Sequence, residues 1–321
     1  MLPDLGIYFC QCAIIKSLTA LSVISFISHS LLFFTVFRIF VLDLLLLLQA
    51  VVMGIVEGIT EFLPISSTGY LILSADIMGF WTKEKADLFI VVIQLGAILA
   101  VIYDYWGRLW GALMGLITGK SEGIANPRQL GLSLIVATIP VMILGFNFAD
   151  EIKMYLFNPY TVAIMLIIGG LLIFYVEKRP KPIIAHEAEE VTLKTALIIG
   201  LFQCLALIPG TSRSGSTIIG ALWLGVSRKA AAEFSFFLGI PVIVGAGLLD
   251  LLKHRDALST TEDWLVLGIG TAVSFIVALL CIRWLVAWVS QRDFTIFAWL
   301  RIVTGIIVLI AAWAFGYNIQ G

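Results

Sequence analysis

Long apolar stretches separated by short polar connections run the length of the chain. Positions 131–149, 264–282 and 302–321 contain no Asp, Glu, Lys or Arg, and 88–103 and 160–176 are uncharged and slightly shorter. A helix needs about 20 apolar residues to cross the hydrocarbon of a bilayer. Lipid-exposed backbone must satisfy its own hydrogen bonds, so these stretches read as helices rather than open strands. A transmembrane β-barrel would show short alternating segments, and the chain has none. The pattern predicts membrane segments near 17–40, 43–58, 87–105, 131–149, 160–177, 194–208, 231–252, 264–289 and 296–316. Polar connections fall at 81–86, 106–130, 178–194 and 253–263. The longest, Glu177-Lys178-Arg179-Pro180-Lys181-Pro182 followed by Glu187, Glu189 and Glu190, divides the chain into halves.

Composition agrees with lipid as part of the solvent. Hydrophobic residues make up 60% of the chain, charged residues 13%, and the mean hydropathy is +1.06. An ordinary soluble domain carries roughly 25% charged residues. A net charge of −1 argues against nucleic acid as a partner. Cys10, Cys12, Cys204 and Cys281 are scattered, and His29, His186 and His254 have no neighbouring ligands at metal-binding spacing, so neither a disulfide framework nor a histidine zinc site is expected.

The two halves resemble each other. Gly54-x-x-Glu57 answers Gly200-x-x-Gln203, and Pro64-Ile-Ser66-Ser67-Thr68-Gly69 answers Pro209-Gly-Thr211-Ser212-Arg213-Ser214. Phe89 answers Phe234, again at an offset of about 145 residues. Such an offset suggests an inverted repeat of the kind that puts a site near the bilayer midplane; chance likeness between apolar segments is the alternative. Both Pro-Ser-Thr-Gly runs interrupt a hydrophobic region and should break a helix. Broken backbone at membrane depth is tolerated where it is buried in protein or lines a wet cavity. The expected fold is therefore an all-α, polytopic transmembrane helical bundle with two re-entrant segments that meet, and pseudo-repeats near 43–177 and 191–321. Residues 1–42 form an apolar extension without a clear cleavage site, and everything motif-like begins after residue 50. A translation start at Val41 would explain it.

Three constellations carry chemistry. Glu57 and Glu61 are four residues apart and share a helix face, inside an apolar region where a charge costs roughly 2.5–3.5 kcal/mol on insertion scales. A cation, an arginine or a proton must compensate them, unless they face water at the interface. Ser66, Ser67 and Thr68 lie between Pro64 and Gly69, where backbone N–H groups at a helix start can receive an anion; alone, such hydroxyls are more often N-caps. Arg213 has no other charged residue between Lys194 and Arg228 and is flanked by Thr211, Ser212, Ser214, Gly215 and Thr217. Its guanidinium fork matches phosphate geometry, although it could instead pair with Glu57 or Glu61. Together, paired acids, hydroxyls and a lone arginine within lipid select a membrane-borne phosphorylated substrate.

These residues resemble a known family. Gly54-Ile-Val-Glu57-Gly-Ile-Thr-Glu61-Phe-Leu-Pro-Ile-Ser-Ser-Thr-Gly69 is similar to the first signature of the undecaprenyl-diphosphate phosphatases, or bacitracin-resistance proteins, and Pro209-Gly-Thr-Ser-Arg-Ser-Gly-Ser-Thr217 to their second. Val92–Ala100, Phe202–Ala206, Gly225–Arg228 and Glu233–Phe236 are also similar, so the resemblance runs from about residue 43 to the C-terminus. It implies hydrolysis of undecaprenyl diphosphate to undecaprenyl phosphate in the bacterial inner membrane, at a site opening toward the periplasm and supported by a divalent cation, Mg or Ca. By motif, Glu57 and Glu61 are the essential acids and metal ligands, Ser67 a nucleophile or substrate contact, and Arg213 the diphosphate binder. Ser66, Thr68, Ser212, Ser214 and Thr217 would complete the cradle. A second copy of the chain is admitted as a partner.

One position departs from the pattern. Where the family usually carries His, this chain has Tyr70. A phenol titrates near pH ~10 and is a poor base at neutral pH, so the base is expected to be Glu57 or Glu61, with Tyr70 a hydrogen-bond donor to phosphate. The rival class is a secondary transporter or lipid flippase, which inverted repeats and intramembrane carboxylates also fit.

Overall fold

The computed structural model describes residues 44–119, 126–179 and 181–314. The N-terminal extension, the proposed start at Val41 and the segment 17–40 lie outside them. The chain divides into units Met1–Leu48 and Gln49–Gly321, and the second forms the helical bundle. Eleven α-helices occur among the described residues: α1 Leu44–Thr60, α2 Ser67–Met78, α3 Lys83–Asp104, α4 Trp106–Thr118, α5 Pro127–Leu156, α6 Pro159–Glu177, α7 Leu193–Cys204, α8 Arg213–Trp223, α9 Arg228–His254, α10 Thr261–Val289 and α11 Thr295–Ala314. No strand is present among them beyond one isolated bridge, Ala185 with Val226.

Among the described residues six helices, α3, α5, α6, α9, α10 and α11, are long and apolar enough to cross a membrane. The protein is a multi-pass membrane bundle. Helices α2 and α8, with 12 and 11 residues, reach less than about 20 Å at 1.5 Å per residue, short of the ~30 Å hydrocarbon layer.

Each short helix is the second arm of a hairpin, and the open ends of the two hairpins lie at opposite ends of the bundle. In the first, the Gln49 side chain of α1 donates to the Met78 carbonyl at the end of α2 (2.7 Å). In the second, α8 returns to the middle loop, where Ile184 N donates to Gly225 O and Ser227 N to Ala185 O. Helix α3 connects these ends. It begins five residues after Met78, and just beyond its other end Arg108 grips Glu189 of the middle loop and Glu233 of α9.

The hairpins also interlock the halves. A Cβ on Gly54 of α1 would lie 2.6 Å from the Gly270 carbonyl of α10, and one on Gly200 of α7 would lie 2.4 Å from the Ala137 carbonyl of α5. Small residues at such crossings let membrane helices meet backbone to backbone.

The polar connection expected at 106–130 is instead helical over Trp106–Thr118. Gly107, Gly111 and Gly115 disguise this helix in the sequence. Its backbone approaches α5 closely, since a Cβ on Gly115 would sit 2.8 Å from the Arg128 nitrogen. Trp106 and Trp110, stacked on each other, lie on its exposed side.

Candidate active site

Each hairpin tip is broken for a chemical reason. Pro64 has no N–H to continue α1, and Ser66 then takes φ 76°. In the second hairpin Gly210 takes φ 86° and Ser212 φ 70°. Left-handed backbone at a residue other than glycine costs about 1–3 kcal/mol and persists where surrounding structure enforces it. Both strained serines immediately precede a short helix, opened by Ser67 and by Arg213. The structural correspondence between the tips thus runs Ser66 to Ser212, one residue later than the sequence motifs suggest.

The tips meet. Arg213 Nη2 donates to Glu61 Oε1 at 3.0 Å, and Ser67 Oγ donates to Glu61 Oε2 at 2.6 Å. Arg213 Nη1 donates to the Ser235 carbonyl of α9 at 2.7 Å. A Cβ on Gly239 would fall 2.7 Å from Nη1, so glycine there makes room for the guanidinium. A direct bond joins the two loops: Ser214 Oγ donates to the Leu63 carbonyl at 2.9 Å. Glu57 lies one helical turn before Glu61, whose N–H bonds its carbonyl, and its side chain is fully buried.

The site lies between the two ends of the bundle. Ser235 is seven residues, or about 10 Å, along α9 from the end where the middle loop lies. Gly210 packs on Val162 of α6, which is 15 residues, or about 22 Å, from that same end.

Five buried side-chain atoms among the described residues have no hydrogen-bond partner: both Glu57 oxygens, Gln203 Oε1, Thr211 Oγ1 and Arg213 Nε. All belong to the two hairpins. Buried polar groups are otherwise paired in native proteins, so an unpaired guanidinium N–H asks for an anion, and unpaired carboxylate oxygens ask for a cation or a proton. A hard divalent cation fits this donor set. Among the described residues no cluster of three or more His, Cys, Asp or Glu occurs, but Mg²⁺ is commonly held by one or two carboxylates together with water and substrate phosphates.

The remaining expected residues divide by what they touch. Ser212 caps α8 by accepting from Gly215 N (3.1 Å) and shares a hydrogen with Ser214. Thr217 Oγ1 donates to Ser235 Oγ at 2.7 Å. Ser212, Ser214 and Thr217 therefore brace the second tip. Ser66 is buried, Thr68 half-buried at the start of α2. Tyr70 turns away from the carboxylates, and its hydroxyl pairs with Thr304 Oγ1 of α11 at 2.8 Å.

Sequence reasoning missed Ser235, Gly239 and Arg301. Arg301 is fully buried and binds the backbone of both tips. Its signal was available, since it is the only charged residue after Asp293.

An apolar groove of about 710 Å³ runs between α4, α5 and α9, lined by Trp106, Leu109, Leu134, Met142, Phe237 and Ile240 among others. Phe237 and Ile240 flank the Gly239 against which Arg213 packs.

A family model described as "Bacitracin resistance protein BacA" matches residues 50–307. The chain is 83% identical over 280 residues to a protein of Psychrobacter arcticus named undecaprenyl-diphosphatase, covering 87% of this chain and 100% of that one. It is 60% identical over 272 residues to undecaprenyl-diphosphatase 1 of Acinetobacter baylyi, covering 85% and 98%.

Proposed function

The chain belongs to the bacitracin resistance protein BacA family, and from that premise we propose how its pocket removes a phosphate from a lipid diphosphate. The protein is an undecaprenyl-diphosphatase: it hydrolyses undecaprenyl diphosphate to undecaprenyl phosphate and inorganic phosphate, recycling the lipid carrier of cell-wall synthesis. The observation that carries the mechanism is the convergence of Ser67, Glu61 and Arg213 within hydrogen-bond reach.

Phosphoryl transfer is accelerated chiefly by positioning and by neutralising charge. Arg213 offers its unpaired Nε to a phosphate oxygen, and Nη2 can exchange Glu61 for the substrate. Glu57 and Glu61 would hold a divalent cation, which when bound neutralises charge on the diphosphate. A hydroxyl beside a carboxylate is the arrangement of a nucleophile and its base. Ser67 Oγ gives its proton to Glu61 Oε2 and bonds to the terminal phosphorus. The bridging P–O bond breaks, undecaprenyl phosphate departs with the electron pair, and Glu61 hands the proton to it. Water then attacks the phosphoserine, gives a proton to Glu61, and releases phosphate as Ser67 Oγ recovers its proton.

The finer localisation rests on charge. The end of the bundle that carries the middle loop holds Arg108, Lys178, Arg179, Lys181, Arg228, Lys229 and Arg283, against Lys83, Lys85, Lys253 and Arg255 at the other. The positive-inside tendency makes the first end cytoplasmic. The α1–α2 hairpin then enters from the periplasm, and half-buried Thr68 and Tyr70 lie on the approach from that side of the inner membrane. The prenyl chain would lie in the apolar groove beside Gly239.

Phosphate release by the purified protein on undecaprenyl diphosphate, with and without a chelator, tests this reading. Turnover in detergent without a membrane gradient is the expected result, with a loss of at least about a hundredfold in Glu61→Gln and in Arg213→Ala. Near-normal turnover in either variant would remove that residue from the mechanism, and turnover indifferent to the chelator would remove the cation.

A further inference from the structure

We infer that Arg301 is a positioning residue that holds the two hairpin tips in catalytic register by gathering their backbone carbonyls. This rests on the reading of the pocket as a diphosphatase site. The loop between two broken helices carries backbone carbonyls that have no intrahelical partner, Pro64 O beyond the end of α1 and Gly210 O and Thr211 O beyond the end of α7, and in hydrocarbon each such group is expensive. Both hairpins have this problem at neighbouring points, and a single guanidinium meets it. Arg301 Nη1 donates to Pro64 O at 3.0 Å in the first tip. Its Nη2 donates to Gly210 O at 3.1 Å and Thr211 O at 3.0 Å in the second. The anchor is α6, through Met165 O at 3.1 Å and Leu166 O at 3.3 Å.

Two features separate this from an ordinary buried arginine. Its hydrogen-bond partners among the described residues are all carbonyls, from three segments of chain, so the charge serves backbone rather than a carboxylate. The surroundings are also cut to its shape. A Cβ on Gly169 would lie 2.1 Å from Nη2, and one on Gly215, in the first turn of α8, 3.1 Å from Nη1. Pro64 is three residues from both Glu61 and Ser67, and Thr211 is two from Arg213. A shift of either tip therefore moves a reacting group directly. Five planar donors can reach three segments at once, which a lysine ammonium on its flexible stem cannot.

The test compares Arg301→Lys, Arg301→Gln and Gly169→Ala with the unaltered protein, using steady-state kinetics on undecaprenyl diphosphate. Gly245→Ala serves as control, since its Cβ meets nothing within 4 Å. Misplacing reacting groups by about 1 Å can cost a hundredfold in rate, while the prenyl chain still binds. The expected result is a kcat at least about tenfold lower in Arg301→Lys and Gly169→Ala with KM within about threefold, a larger loss in Arg301→Gln, and an unchanged Gly245→Ala. Should Arg301→Gln fail to fold, the other two variants carry the comparison. Arg301→Lys with unaltered kcat, or with its loss confined to KM, overturns the inference while leaving the diphosphatase reading intact. Absence of turnover in the unaltered protein removes both.

Discussion

The proposed chemistry rests on a carboxylate shared by a serine and an arginine, Ser67–Glu61–Arg213. Ser67→Ala decides whether the hydroxyl itself is the nucleophile. Phosphate release should fall at least about a thousandfold if it is, whereas a fall below about tenfold would transfer that role to water. Glu57 makes a different expectation. Its two oxygens are buried without a partner, an arrangement that costs stability and persists where function requires it. Glu57→Gln should therefore lose phosphate release by at least about a hundredfold while its thermal unfolding temperature stays level or rises. A fall of several degrees would mean that the carboxylate is structural. Glu57, Glu61 and Arg213 were legible in the sequence because a charge in an apolar stretch is costly enough to need a reason. Arg301 obeys the same logic but was missed, because an arginine six residues into a helix reads as an interfacial anchor. Ser235 contributes a carbonyl as well as its hydroxyl, and carbonyls carry no sequence signal.

Among the elements, the broken hairpins were legible from Pro64, Pro209 and Gly210, whereas α4 was not, because its glycines look like turn residues until Arg128 is seen pressed against Gly115. Contacts made by glycine also give the hairpins their depth. Gly54→Ala should lower thermal stability by about 1–3 kcal/mol, because its methyl would overlap a backbone carbonyl of α10 that cannot turn aside; an unchanged unfolding midpoint in detergent would contradict the crossing. At the end carrying the middle loop, Arg108 joins α4 to Glu189 and α9 through three short hydrogen bonds. Burial alone would raise the Glu189 carboxyl, but the bonds from Arg108 outweigh it and hold the group below its ordinary value. A depressed folded-state value means that this contribution is present above the unfolded carboxylate's titration and is lost as pH falls through the folded one. The unaltered protein should thus lose stability below about pH 4.5, and Glu189→Gln should flatten that acid limb. Identical acid limbs in the two proteins would show that Glu189 does not govern it.

For the whole molecule, the decisive arrangement is that the open ends of the two hairpins lie at opposite ends of the bundle while their tips meet between them. The apolar composition announced a membrane protein, and the matching motifs suggested two halves, but neither says that helices cross between them, α1 upon α10 and α7 upon α5. That follows from close backbone approaches at Gly54 and Gly200, which a sequence does not display. The most direct measurement is a cross-link between the tips. Leu63→Cys and Ser214→Cys, placed where Ser214 Oγ touches the Leu63 carbonyl, are combined in a chain whose four natural cysteines are replaced, with a protease site inserted after Lys181 to cut between the halves. Oxidation, or a short bis-thiol reagent, should keep the cut halves in one band that separates on reduction. Two separate bands before reduction after the bis-thiol reagent as well as after oxidation, with both single-cysteine forms folded and active, would contradict a shared pocket.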